Sequence, residues 1–188
     1  MTKFAWGDEG QGMRLRLNRG HHVMVLSALF LFMLLIPRLK ASSEVDIEGA
    51  GKLIQTGRYE EAIDYLEKTR KGDPTNHEAL LLLGRAYREI GKCKKAVEVY
   101  KKALTVNPTD SRALIGTGIC YGNMGMKLEA VSVFEKVVEG EPNNALAHFY
   151  LGVAYERVRS MNKAWEQYET LKTLDRKLAE KLYKVIFW

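Results

Sequence analysis

From Ile47 onward, apolar residues recur at i, i+3, i+4 and i+7, the spacing of one face of an α-helix. The stretch from Asn76 to Pro108 is the clearest example. Leu80, Leu83, Gly84 and Tyr87 form one such stripe, and Ala96, Tyr100 and Ala103 form a second. Gly91 falls between them, where a helix would end in a left-handed residue. The whole pattern returns 34 positions later and again 34 after that. Proline stands at 74, 108 and 142, alanine at 62, 96, 130 and 164, and glycine at 84, 118 and 152. Tyrosine follows each of those glycines by three, at 87, 121 and 155. A fixed period of this length predicts helical hairpins that cannot bury their apolar faces alone and must stack.

Each recurring residue type has a physical reason. Gly or Ala at position 8 and Ala at position 20 of the period let two helix backbones approach closely. An aromatic at positions 11 and 24 fills the space between neighbouring hairpins. Proline at position 32 cannot continue a helix. Ser42, Asn76, Asp110 and Asn144 stand where each first helix needs an N-cap acceptor. Gly57, Gly91 and Gly125 mark the turn within each pair. In the fourth pair Arg159 takes that place and Arg176 replaces the proline, departures that suit the end of a stack. Residues 176–188 then predict one capping helix, with Leu178, Leu182, Val185 and Ile186 on its packing side. Phe187 and Trp188 either fold back onto the preceding helix or meet a partner.

These positions resemble the tetratricopeptide repeat, over residues 43–76, 77–110, 111–144 and 145–178. The first block matches least well. The resemblance implies an all-α, right-handed α-solenoid of four helix pairs plus the capping helix, spanning 43–188. It also implies a protein-binding scaffold in which positions 2, 5, 9 and 12 of each first helix line a concave face. Position 5 carries Ile47, Leu81, Ile115 and Phe149; position 9 carries Gly51, Arg85, Ile119 and Val153. Position 12 carries Ile54, Arg88, Gly122 and Glu156, and position 2 carries Glu44, Glu78, Arg112 and Leu146. A solvent-exposed apolar row of this kind marks an interaction site. Its alternative reading is packing between adjacent first helices. Arg85 and Arg88, one turn apart, suit a carboxylate. The expected partner-binding set is therefore Ile47, Leu81, Arg85, Arg88, Ile115, Ile119, Phe149 and Val153, and the expected ligand is an apolar segment flanked by acids. The family's Lys/Asn clamp for C-terminal carboxylates is not reproduced, because Ile47 and Gly51 stand at the corresponding positions.

Residues 1–42 depart from the period. A basic stretch with Arg14, Arg16 and Arg19 precedes Val23 to Ile36, fourteen residues of which only Ser27 is polar. As a helix this run spans about 21 Å, short of a ~30 Å hydrocarbon core. Extending it over Gly20–Pro37 approaches a spanning length. Two readings follow for an apolar helix at about 21–37. One is a signal anchor with its basic end in the cytoplasm. The other is a signal peptide cleaved near Ser43, with Met1 or Met13 as the start. Both put the repeats on the far side of a membrane.

Charge alters little. The chain is +6 overall, but residues 1–42 carry six Lys and Arg against two acids, and residues 43–188 carry 23 against 21. Interleaved signs on helix surfaces argue against nucleic-acid binding. No catalytic motif is present. Gly49-Ala50-Gly51-Lys52 lacks the remaining elements of a phosphate loop, and Gly116 and Gly118 are followed by Tyr121 where a dinucleotide fingerprint needs glycine. His21, His22, His77 and His148 form no metal-ligand spacing, and no cofactor is expected. Cys93 and Cys120 read as ordinary buried residues, with a bridge between them conceivable in an oxidising compartment. Homo-oligomerisation is the second functional expectation, through the groove or the Phe187-Trp188 end.

Overall fold

The computed structural model describes residues 47–187. The candidate signal segment at 21–37, Ser42 and Trp188 lie outside them. Among the described residues there are nine helices and no strand. They are α1 (residues 47–55), α2 (Tyr59–Gly72), α3 (His77–Glu89), α4 (Cys93–Val106), α5 (Ser111–Asn123), α6 (Lys127–Gly140), α7 (Ala145–Arg157), α8 (Met161–Leu174) and α9 (Arg176–Phe187). From α2 to α9 each helix packs on its neighbours in sequence, and α3, α5, α7 and α9 also touch in series, giving an all-α solenoid. The described residues fall within one unit, residues 43–188. Among them no helix is long and apolar enough to cross a membrane.

The punctuation predicted from the period is present atom by atom. The side chain of Asn76 accepts from the Ala79 amide at 3.0 Å, Asp110 from Arg112 and Ala113 at 2.9 and 3.2 Å, and Asn144 from Ala147 at 3.0 Å. Asp175 does the same for α9, from Lys177 and Leu178. Second helices have no side-chain cap at all. Each instead follows a tight turn in which Gly57, Gly91, Gly125 or Arg159 takes positive φ. There the amide three residues past the helix end returns to the carbonyl of Leu53, Tyr87, Tyr121 or Tyr155, satisfying an orphan acceptor. Arg159, at φ 62°, is the one non-glycine residue in that conformation among the described residues. Helices α2, α4 and α6 stop two residues before Pro74, Pro108 and Pro142, and the residue between is extended or nearly so, as the following proline ring demands.

Glycine and aromatic positions interlock the stack. The Tyr100 ring presents one edge to Gly84 and the other to Gly116, so closely that a Cβ built at either would stand 2.5 or 2.4 Å from it. Phe134 covers Gly118 in the same manner. Gly152 is covered by Leu182 of α9 rather than by Tyr168 of α8. Neighbouring repeats are also tied by polar contacts at a spacing of twenty. The Tyr87 hydroxyl donates to Glu67 at 3.1 Å and the Tyr155 hydroxyl to Glu135 at 2.6 Å.

The cap differs from expectation in one respect. Ala179 and Leu182 are buried against α7 and α8, with Leu178 and Ile186 half-buried beside them, while Val185 faces solvent. The reason is rotational: α9 uses the 179, 182, 186 stripe, which leaves 185 on another side. Phe187 does meet the preceding helix, packing edge-on to Trp165 at 5.9 Å and against Tyr183 at 4.8 Å.

Candidate concave interface

Because α3, α5 and α7 lie side by side, the length of α3 and the first turns of α5 and α7 enclose a cleft of about 400 Å³. Leu81, Arg85, Arg88 and Ile115 line it, together with Glu78, Arg112 and Leu146. Four of the eight expected binding residues thus converge on one place. Ile119 and Val153 line a second, smaller pit of about 80 Å³ between the later turns of α5 and α7. Ile47 and Phe149 line neither. Ile47 is half-buried against the first core cluster, and Phe149 is half-buried, edge-on to Tyr150 at 5.3 Å.

The position-5 row is not an exposed apolar strip. Leu81 and Ile115 retain 5% and 6% of their surface, and Ile47 and Phe149 are half-buried. These residues pack the seam between adjacent first helices, which approach closely enough to bury position 5. Only part of each side chain forms the cleft floor. The accessible apolar wall is supplied instead by Leu146, 45% exposed.

Charge around the cleft is predominantly positive. Arg85 is exposed, with no carboxylate at ion-pair distance among the described residues. Arg88 is not its free twin: it pairs with Glu89 and lies within electrostatic reach of Tyr100 and Tyr150. Arg112 bridges Glu78 at 2.9 Å and Asp110 at 3.0 Å, joining α3 to α5. Asp110 also meets His77 Nε2 at 2.8 Å. Burial raises the Asp110 pKa, but hydrogen bonds from His77, Arg112 and the Ala113 amide outweigh it and hold the carboxyl at about 2. These contacts fix the cleft wall, and among the described residues Arg85 is the lining cation without an ion-pair partner.

Cys93 and Cys120 are unbridged, buried neighbours. Burial, followed by a hydrogen bond with Cys93, pushes the Cys120 thiol up to about 12. Among the described residues no group of three or more His, Cys, Asp and Glu is placed to hold a metal.

The tetratricopeptide repeat description matches residues 53–114 and, through a second model, residues 112–144. Residues 53–144 are thus similar to tetratricopeptide repeats. Solved structures agree in fold. A crystal structure of MamA protein aligns with a TM-score of 0.67 at 26% identity, over 77% of this chain and 78% of that one. MamA 41-end from Desulfovibrio magneticus RS-1 aligns with a TM-score of 0.67 at 25% identity, over 76% and 82%. The first TPR domain of human RPAP3 aligns with a TM-score of 0.60 at 27% identity, over 65% and 96%. No curated protein sequence matches the chain.

Arg112 and Leu146 stand in the position-2 row, and nothing in the repeat pattern ranks them above the position-5 residues. Arg157, which shapes the smaller pit with Gly122 of the position-12 row, is absent from the expected set. Arg157 is at position 13, outside the expected concave stripe, and the signal that would have found it is the glycine facing it.

Proposed function

We propose that this chain is a non-catalytic scaffold that holds an apolar, acid-flanked segment of a partner protein across α3, α5 and α7. The observation that carries this reading is the convergence of Leu81, Arg85, Arg88 and Ile115 on one cleft whose free charge is positive. An aliphatic side chain would rest on Leu146 and the exposed parts of Leu81 and Ile115, and Arg85 would meet a neighbouring carboxylate. The apolar run at 21–37 with its basic leader supports placement in a cell envelope, either tethered with the N-terminus cytoplasmic or released after cleavage near Ser43. The role there is that of an assembly or chaperone-like factor.

Leu81 and Ile115 are too buried to test this, since charging either would damage the stack. Arg85→Glu and Leu146→Glu are surface changes. Either should reduce partner capture by the full-length chain at least tenfold with unchanged helicity. Capture at the parental level by both variants would remove the concave site.

A second reading, self-assembly, is favoured by a specific feature at the other end of the stack. Trp165, Tyr168, Tyr183 and Phe187 form a closed ring of four aromatic contacts, with centroids 4.7 to 5.9 Å apart. Trp165 is 40% exposed, whereas Ile63, Val97 and Val131 at the same position of earlier repeats are buried. Sedimentation of the parent against Trp165→Lys separates the two readings. A concentration-dependent oligomer lost in the variant supports self-assembly, and a monomer throughout refutes it.

A further inference from the structure

Position 12 of the period behaves differently at each joint between first helices. Ile54, at the end of α1, is 2% exposed and belongs to the core cluster shared with α3. Arg88, at the end of α3, extends within electrostatic reach of Tyr100 and Cys120 and carries its own counter-ion, Glu89. At the first joint an aliphatic side chain of the chain itself fills the space, and at the second Arg88 occupies it with its counter-ion, beside the larger cleft. At the end of α5 the residue is Gly122, and the space is open: it is the pit of about 80 Å³ between α5 and α7. That volume admits several heavy atoms, being well above the ~10–15 Å³ that a single water needs. Ile119, Val153 and the stacked rings of Phe134 and Tyr150, 5.6 Å apart, supply an apolar lining.

The charge at this joint has also changed owner. Arg157 of α7 lays Nη1 across Gly122, 3.1 Å from where a Cβ would be. No carboxylate stands at ion-pair distance from Arg157 among the described residues. Lys127 Nζ is occupied by the Arg157 carbonyl at 3.1 Å. The two earlier joints thus show what such a site accepts, an aliphatic plug or a cation matched by a carboxylate. The third joint has the cation and the hole but neither the plug nor the acid.

We propose that the pit at Gly122 is a subsite for a β-branched or leucine-sized side chain of a bound segment, whose adjacent Asp or Glu pairs with Arg157. This deepens the concave-groove reading and rests on it, adding a specificity element: an apolar residue next to an acidic one, read by α5 and α7. The occupant is identified by complementarity. The lining is apolar, the unpaired group at the rim is a guanidinium, and the neighbouring cleft is also positive.

The test uses the full chain labelled with ¹⁵N-glycine and the blocked dipeptide N-acetyl-Ile-Glu-amide as probe. Gly118 and Gly122 amide signals should move with probe concentration, while Gly84, beside the filled joint, should not. N-acetyl-Ile-Gln-amide, or the variant Arg157→Gln, should bind roughly tenfold more weakly, the loss of one charge-assisted contact. Gly122→Ile, which copies the plug at Ile54, should abolish the Gly118 shift while melting no lower than the parent. Equal binding of the Glu and Gln probes, an unperturbed Gly118, or a shift that survives Gly122→Ile would each overturn the proposal. If the probe fails while Arg85→Glu still releases the partner, the groove reading stands and the pit is a packing void. If both fail, the groove reading falls with it.

Discussion

Gly116 and Gly122 lie six residues apart on α5, and the same substitution should have opposite signs at the two. A methyl group at Gly116 would sit 2.4 Å from Tyr100 Cζ and 2.7 Å from its hydroxyl oxygen. The ring cannot retreat, because its other edge already stands 2.5 Å from the Cβ position of Gly84. Overpacking of this kind costs about 1–3 kcal/mol, and replacing a helical glycine by alanine returns up to about 1 kcal/mol. Gly116→Ala should therefore destabilise by about 1–2 kcal/mol. At Gly122 the added methyl meets only the far end of the Arg157 side chain, which swings aside, so Gly122→Ala should stabilise by about 0.5–1 kcal/mol. Urea denaturation followed by far-ultraviolet circular dichroism measures both, with the m-value checking that cooperativity is retained. If Gly116→Ala is as stable as Gly122→Ala, Tyr100 is not wedged between repeats and the stated packing is wrong.

Arg159→Gly should stabilise by about 1 kcal/mol, because an L side chain at φ 62° is strained and this one is exposed. A melting temperature raised by about 2–4 °C would show it, and an unchanged value would contradict it. The Asp110 carboxyl is depressed to about 2, so its contribution is present above the ordinary carboxylate range and is lost as pH falls through that value. Between pH 4 and pH 2 the parent should lose about 1 kcal/mol more than Asp110→Asn does, discounting for the exposed Arg112. Matching acid titrations of stability would refute this. Tyr87→Phe should cost about 1 kcal/mol through loss of the Glu67 contact, read as faster amide exchange in α2 and α3. Unchanged exchange would show that the bond does not tie the repeats.

The parts of this fold readable in the sequence are those in which one residue acts on its own backbone. Asn76, Asp110 and Asn144 cap, Gly57, Gly91 and Gly125 turn left-handed, and the three prolines stop the second helices; all of them follow the period. Gly84 and Gly118 were readable as close-approach sites for the same reason. What the period does not contain is the distance between successive first helices. That distance buried Leu81 and Ile115, made Gly116 the second wall of the Tyr100 slot, and turned Ile54 into a plug. Arg88 looked like a free cation beside Arg85, since its pairing to Glu89 depends on side-chain direction rather than spacing. Arg157 escaped notice because its role exists only opposite Gly122.

A photo-crosslinking amino acid placed in turn at residues 85, 146 and 101 of the full-length chain, in its native cell, interrogates the concave site directly. Residues 85 and 146 face the cleft from α3 and α7, and residue 101 lies exposed on α4, outside its lining. Adducts are expected from 85 and 146 to one short stretch of the same partner, containing apolar and acidic residues, and none from 101. Equal adducts from 101, or a captured stretch without carboxylates, would contradict the concave site.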